Sequence, residues 1–274
     1  MLNSVTFIDQ KIGWAVGGHT LPYSHRSSGV VLRTLDGGRR WTQLTGSMLP
    51  GLKRAKFFSA TRGWAVGSPS ALFGSGLFRT TDGGRSWSPV NAAGEQWLCG
   101  DFRDANSGAI AGRYGEINVV MTKGAIKSRT PGLGLRAIRD LRLSDDMGGW
   151  LVGDGGLVMK TSDGGLTWQL PPRAISPVAR NEIDFSAVAT VGQNMWAVGS
   201  PGSLVLHSPD GGRRWQVQRT GQSLPLKAIA FVDERQGWAV GALGTILHTA
   251  DGGQTLHRQH SGGTRAALMC IVAD

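Results

Sequence analysis

The stretch "GWAVGALGTILHTADGGQT", residues 237–255, sets two short apolar runs between glycine-rich turns and places one acidic residue, Asp251, beside a Gly-Gly pair. Whether Asp251 reacts or only clasps a turn depends on how often the chain repeats the stretch. "WAVG" or a near copy recurs at Trp14, Trp64, Trp150, Trp196 and Trp238, and a tryptophan-less "AIAG" stands at Ala109. The successive spacings are 50, 45, 41, 46 and 42 residues. That is the length of a four-stranded propeller blade. Five of the six units carry a second marker about twenty residues later: "TLDGGRRW" around Asp36, "TTDGGRSW" around Asp82, "TSDGGLTW" around Asp163, "SPDGGRRW" around Asp210 and "TADGGQTL" around Asp251. The third unit reads "TKGAIK", with Lys123 where the aspartate belongs.

Each unit parses into four strands. A short run ending at an acid such as Asp9, Asp104 or Asp233 is the first, "GWAVG" the second, a run such as "TILHT" or "VVLRT" the third, and a run such as "RRWQVQ" the fourth. β-Branched residues favour strands, and Gly-Gly and Asp-Gly supply tight turns. No segment between the glycines keeps the three-and-four spacing of a helix. The expected fold is therefore all-β, a β-propeller of six to seven four-stranded blades in a single domain, residues 1–274. The repeats span about 4–48, 52–92, 97–130, 138–172, 183–220 and 226–260, and residues 264–274 read as the first strand of an incomplete seventh blade.

In this frame Asp36, Asp82, Asp163, Asp210 and Asp251 are structural. Each precedes two glycines that tolerate positive φ, so its carboxylate accepts turn amides. A residue repeated around a ring cannot converge on one substrate. Nine of the ten tryptophans occupy repeat slots and are expected to pack between blades, each burying ~150–250 Å². Trp97 lies outside the pattern, which leaves a carbohydrate platform as its functional alternative.

The aspartate turn resembles the Asp-box of BNR-type propellers, which include sialidases and sortilin-like receptors. The unit "GWAVG…ILHTADGG" is more specifically similar to the photosystem II stability/assembly factor family, over about residues 4–256. That resemblance implies a non-enzymatic seven-bladed propeller with an assembly-factor or chaperone-like role and an extracytoplasmic location, periplasm or lumen. The rival reading is a sialidase-like or other glycan-processing or glycan-binding Asp-box protein. A sialidase-like site needs clustered arginines, a tyrosine nucleophile with a glutamate partner, and an acid. Only Tyr23 and Tyr114 are available, the latter near Arg113 and Glu116, in a position that aligns with a strand-connecting turn. The glutamates Glu95, Glu116, Glu182 and Glu234 show no facing pair, and His257 and His260 have no third ligand. No catalytic residue, metal or cofactor is expected.

Composition narrows the field further. The 274 residues include 42 glycines and 10 tryptophans with 18% charged residues, which excludes a disordered or long-helical chain. No window approaches ~18 uninterrupted apolar residues, and the first residues show no basic head followed by an apolar run. Cys99 and Cys270 are expected as two separate thiols. The formal net charge is +10, and 22 of the 29 basic residues are arginine, which suits an acidic protein segment. Candidate partner-binding residues are Arg33, Arg79 and Lys160 at the ends of third strands, in the slot that also holds His207 and His248. Arg39, Arg40, Arg213 and Arg214 on the hairpins join them, as does the group Arg136, Arg139 and Arg142. DNA or RNA is not expected, because stacking aromatics do not interleave with the basic residues. Peripheral membrane association and the oligomeric state stay open. The long connections "GHTLPYSHRSSG" and "SPSALFGSG" are where specificity is expected.

Overall fold

The computed structural model of the chain describes residues 1–20, 27–45, 48–69, 74–92, 96–121, 124–128, 132–175 and 183–273. Its strands form six antiparallel meanders in which each strand pairs with the next in sequence. Blade 1 is β1 (Leu2–Phe7), β2 (Gly13–Thr20), β3 (Ser27–Thr34) and β4 (Thr42–Gln43); blade 2 is β5 (Leu52–Phe57), β6 (Gly63–Gly67), β7 (Leu77–Thr80) and β8 (Ser88–Pro89). Blade 3 is β9 (Trp97–Asp104), β10 (Ser107–Gly112), β11 (Ile117–Met121) and β12 (Gly124–Lys127). Blade 4 is β13 (Ile138–Leu143), β14 (Gly149–Gly153) and β15 (Leu157–Thr161), with a single bridge from Lys160 to Gln169 in the fourth place. Blade 5 is β16 (Asp184–Val191), β17 (Asn194–Ser200), β18 (Leu204–Ser208) and β19 (Gln216–Arg219); blade 6 is β20 (Leu226–Phe231), β21 (Gly237–Gly241), β22 (Ile246–Thr249) and β23 (His257–Arg258).

The blades group into two compact units. Blades 1 to 3 belong to Met1–Ser128 with Gly164–Leu166, and blades 4 to 6 to Arg129–Asp163 with Thr167–Asp274. Within each unit the second strand of a blade is covered on both faces, so "GWAVG" is continuously apolar instead of alternating. All five residues of β6 and of β14 are buried.

The two glycines of "GWAVG" answer two different crowding problems. The first, or its counterpart Gly108 in blade 3, lies directly across from a phenylalanine at or near the end of the first strand: Phe7 opposite Gly13, Phe57 opposite Gly63, Phe102 opposite Gly108 and Phe231 opposite Gly237. A Cβ at any of these four glycines would sit 2.4–2.6 Å from the ring. In blades 2, 3 and 6 the phenylalanine lies flat on its own blade and offers its other face to the tryptophan of the preceding blade. Trp14 stacks on Phe57 with centroids 3.8 Å apart, Trp64 on Phe102 at 5.2 Å and Trp196 on Phe231 at 3.8 Å, all within 11° of parallel. Blade 5 has neither member of the pair, since Thr190 faces Met195. There Trp150 of blade 4 instead meets Trp215 edge to face, at 5.9 Å and 87°. The last glycine meets backbone: a Cβ at Gly17, Gly153, Gly199 or Gly241 would come within 2.0–2.2 Å of the carbonyl oxygen of Met1, Ala137, Asp184 or Pro225. In each of these blades the first strand carries a one-residue bulge there, at Asn3, Arg139, Ser186 or Lys227.

Residues 264–273, expected as the first strand of a further blade, form no strand. Two backbone hydrogen bonds, from the Gly244 amide to the Ala266 carbonyl at 2.8 Å and from the Leu268 amide to the Gly241 carbonyl at 3.0 Å, fasten the segment beside the 3-10 turn Ala242–Gly244. Two such bonds do not make a ladder, and Asp274 lies outside the described residues. Cys99, buried in β9, and Cys270, half-buried, are both thiols. Among the described residues no helix is long and apolar enough to cross a membrane.

The stacking predicts unequal costs for the tryptophans. Trp14→Ala is expected to lower the unfolding free energy by about 3–5 kcal/mol and Gly63→Ala by about 1–3 kcal/mol, both read from urea unfolding. Trp41, at 37% exposure, should cost less than either when truncated. Equal losses at Trp41 and Trp14 would contradict the arrangement.

Candidate functional site

The repeated aspartates sit in one hydrogen-bonded pattern. At the end of the third strand the hydroxyl of Thr34, Thr80, Thr161, Ser208 or Thr249 donates to the carboxylate of Asp36, Asp82, Asp163, Asp210 or Asp251 at 2.8–3.3 Å. The carboxylate also accepts the amide four residues on, from Arg40, Ser86, Thr167, Arg214 or Thr255, at 2.8–2.9 Å. The two glycines between them hold φ of +69° to +94°, which side-chain-bearing residues rarely adopt. The first glycine ties the turn back to its own blade: the amides of Gly37, Gly83, Gly211 and Gly252 donate to the carbonyls of Lys11, Thr61, Gln193 and Arg235 at 2.8–3.0 Å. Asp9, Asp104 and Asp233 do similar work between first and second strands, each accepting two backbone amides at 2.6–2.9 Å. Hydrogen bonding from the Arg214 side chain holds the Asp210 carboxyl down at about 2. At Asp251 burial alone would raise the value, but the Thr255 hydroxyl and amide and the Thr249 hydroxyl outweigh it and bring it to about 2.

These turns also join neighbouring blades. The indole N–H of Trp14 donates to the Gly83 carbonyl of the next blade at 2.9 Å, and that of Trp196 to the Gly252 carbonyl at 2.7 Å. The basic residues that end the third strands lie directly opposite these tryptophans: Arg33 across from Trp14, Arg79 from Trp64, Lys160 from Trp150, His207 from Trp196 and His248 from Trp238. Arg33 and Lys160 each place their charge 5.3 Å from the indole centroid, a cation–π distance. The His207 ring stacks parallel on Trp196 at 5.0 Å, and the His248 ring lies 4.8 Å from Trp238. Lys160 Nζ also donates to the Gly211 carbonyl at 3.2 Å. This slot thus sets a flat or cationic group over the indole.

The other candidate arginines have different local surroundings. Arg39, Arg40, Arg136 and Arg213 are exposed. Arg214 pairs with Asp210 at 2.6 Å. Arg139 is the bulge residue of β13 and grips Asp154 with two prongs, at 2.7 and 2.9 Å. Arg142 donates to Asp140 at 2.8 Å, and Asp140 in turn accepts the Val188 amide of the next blade at 3.1 Å. Side chains alternate along a strand and the bulge shifts that alternation, so the three-residue spacing of Arg136, Arg139 and Arg142 does not give one basic face. Arg79 borders a cavity. This cleft of about 230 Å³ is lined by Arg62, Gly63, Trp64, Arg79, Thr80, Thr81, Ala105 and Asn106, none of which except Arg79 was a candidate from sequence.

The residues considered for catalysis do not assemble. Tyr114 sits exposed on the turn between β10 and β11, where its amide donates to Glu116 at 3.2 Å. Trp97 is 1% exposed, and its indole donates to the Ser75 carbonyl at 2.8 Å, so it presents no platform. Glu234, His257 and His260 are exposed, and among the described residues no three His, Cys, Asp or Glu side chains gather to hold a metal. Tyr23, Glu95, Lys123 and Glu182 lie outside the described residues, as do parts of both long connections.

The depressed carboxyl values carry a sign. A carboxylate held near 2 contributes stability above the ordinary value of 3.8 and loses it as pH falls through about 2. Asp251→Asn should therefore lower the urea midpoint at pH 7 and make its fall between about pH 4 and pH 2 shallower than in the unmodified chain. An unchanged acid limb would show that the Asp251 clasp contributes nothing.

Comparison with known proteins agrees with this geometry. Residues 134–228 match the family described as photosynthesis system II assembly factor YCF48. The photosystem II assembly lipoprotein Ycf48 of Synechococcus sp. (strain CC9902) is 25% identical over 256 residues, covering 90% of this chain and 70% of the relative. The photosystem II assembly protein Ycf48 of Synechococcus sp. (strain JA-3-3Ab) is 37% identical over 187 residues, 62% of this chain and 52% of the relative. The chain thus spans about half the length of the more identical of these two relatives. A solved structure, YCF48 bound to D1 peptide, matches with a TM-score of 0.70 over 94% of this chain and 81% of that one, at 20% identity. Likeness at that identity shows the fold, a β-propeller. In its repeated turns, its matched residues and its fold, this chain is an Asp-box β-propeller that resembles the photosystem II assembly factors.

Proposed function

We propose that the chain is a non-catalytic scaffold that binds a protein partner during assembly of a larger complex. The observation that carries this reading is the use made of the repeated carboxylates. The five Asp-box aspartates are each engaged by hydroxyl and amide groups of their own turn, while Arg39, Arg40, Arg136 and Arg213 stand exposed. The solved relative bound to a D1 peptide supports a peptide or protein as the partner. An acidic segment suits Arg39, Arg40, Arg136 and Arg213, since guanidinium groups grip carboxylates in a planar, two-pronged fashion. A scaffold ordered before binding loses little entropy on association. The word lipoprotein in the name of the strain CC9902 relative supports an extracytoplasmic place at a membrane surface. Against a glycan-processing role stand the burial of Trp97 and the exposed turn position of Tyr114.

The reading is tested by affinity purification of the tagged chain from its host at low and high salt, with cross-linking to identify what is held. A co-purifying protein with an acidic contact segment is expected, its yield falling as salt rises. Yield unaffected by salt would remove the arginine contribution. Turnover of 4-methylumbelliferyl glycosides that Tyr114→Phe abolishes would overturn the scaffold reading.

A further inference from the structure

We propose that His207 is a proton-operated latch on the joint between blades 5 and 6. Acid charges an imidazole that its slot holds only in the neutral form, and the tryptophan beneath it then loosens its hold on the next blade. The latch does not depend on what the propeller binds.

The slot opposite the blade tryptophan holds Arg33, Arg79, Lys160, His207 and His248. The first three carry a fixed charge through the neutral range, and the two histidines do not. Of the five, His207 is buried, at 7% exposure, and the others are half-buried. Its ring ends a stack of three. His207 lies on Trp196 at 5.0 Å and 2°, and Trp196 lies on Phe231 of blade 6 at 3.8 Å and 11°. The Trp196 indole also donates to the Gly252 carbonyl of blade 6 at 2.7 Å. The middle ring thus contributes both packing and a hydrogen bond to the joint.

The imidazole's own hydrogen bonds decide which form fits. Nε2 lies 3.0 Å from Asn194 Oδ1. An amide oxygen only accepts, so Nε2 carries the hydrogen and Nδ1 keeps a lone pair. Nδ1 is buried and has no hydrogen-bond partner among the described residues. A proton added there brings a charge and a second N–H into a site without an acceptor, and a buried donor or charge left uncompensated is costly. The charged groups of the packed elements do not offset that penalty. Asp210, in the turn after β18, favours the charged ring, but its carboxylate is bound by Arg214 at 2.6 Å. Arg213 of that turn is exposed, and Lys160 of blade 4 donates to its Gly211 carbonyl. Glu234 of blade 6 reaches the turn before β17, where its carboxylate would lie 3.4 Å from a Cβ at Gly192. Asp251 is taken by Thr249 and Thr255. The residues paired across the strands with His207 are the uncharged Trp196 and Gln216. Burial therefore prevails over Asp210 and keeps His207 below its ordinary value of 6.5.

A histidine depressed by folding contributes stability that is present above the ordinary 6.5 and is lost as pH falls through the folded value. This window lies above that of Asp210 and Asp251, held at about 2, so the two effects are separable. Within it the ring leaves the stack to be charged in water, Trp196 loses the cover on one face, and the joint opens more often. Arg33 and Lys160, over Trp14 and Trp150, have no proton to exchange in this range.

The test follows the His207 ring and the Trp196 indole N–H by NMR between about pH 8 and pH 5, with the Trp14 indole, under the fixed charge of Arg33, as reference. His207 is expected to titrate below 6.5. Hydrogen exchange of the Trp196 indole, taken relative to Trp14, should rise by up to ~10-fold for each unit of that depression. His207→Phe keeps a flat ring over Trp196 without a titrating group and should abolish the relative rise. His207→Gln, which keeps a donor for Asn194, should abolish it as well and serves if the phenyl ring does not fit. A Trp196 signal near its original position at the alkaline end reports an intact joint in either variant. Titration of His207 at or above 6.5, a Trp196 indole equally protected at both ends of the range, or a rise that persists in both variants would overturn the proposal.

Discussion

The contact on which the blades of each unit depend is the indole that leaves its own sheet to lie on the next one. Its flat face needs a flat partner, which a phenylalanine supplies only where a glycine across the strand lets the ring lie down. Its N–H needs an acceptor, which the Gly-Gly turn of the next blade supplies. Its other face takes a guanidinium, ammonium or imidazole from the neighbouring strand. An indole buried without such a partner would forfeit a hydrogen bond and much of its packing. The residues that look most functional in the repeat, a tryptophan, an aspartate and a basic side chain, are thereby accounted for as one joint.

That joint was half legible in the sequence. "GWAVG" and "DGG" recur because the blades face the same two problems, so the six repeats and their strand order followed from spacing, while a seventh blade stayed open. The partnership of Arg33 with Trp14 did not follow, because cross-strand register depends on the length of the intervening connection, which differs between units. Arg33 and Lys160 therefore read as rim charges when they are set over indoles. Arg139 and Arg142 read as one basic group because three-residue spacing looks regular on paper. A strand alternates by two, and a bulge at Arg139 redirects even that. "TKGAIK" was visible as a lapse in the repeat, but that the Trp64 indole there donates to the Ala105 carbonyl belongs to the packing of two blades.

Function in this view lies where the repetition lapses. Six near copies of one unit can make a stable frame without making a site, because equivalent residues are distributed among blades and each is consumed locally. Specificity then has to come from departures: a third unit without the Asp-Gly-Gly sequence, long second-to-third connections in blades 1 and 2, and arginines exposed on particular hairpins. Such a protein would recognise a partner through a few anchor points on a rigid surface.

The most direct test removes one side of the joint. Phe57→Leu takes away the flat partner of the Trp14 indole while leaving an apolar side chain opposite Gly63. The account predicts that the Trp14 indole N–H signal shifts and the urea midpoint falls, while the Trp196 indole, stacked on Phe231, keeps its signal. A variant that keeps the Trp14 signal and the midpoint of the unmodified chain would contradict the claim that the stacked ring is part of the joint.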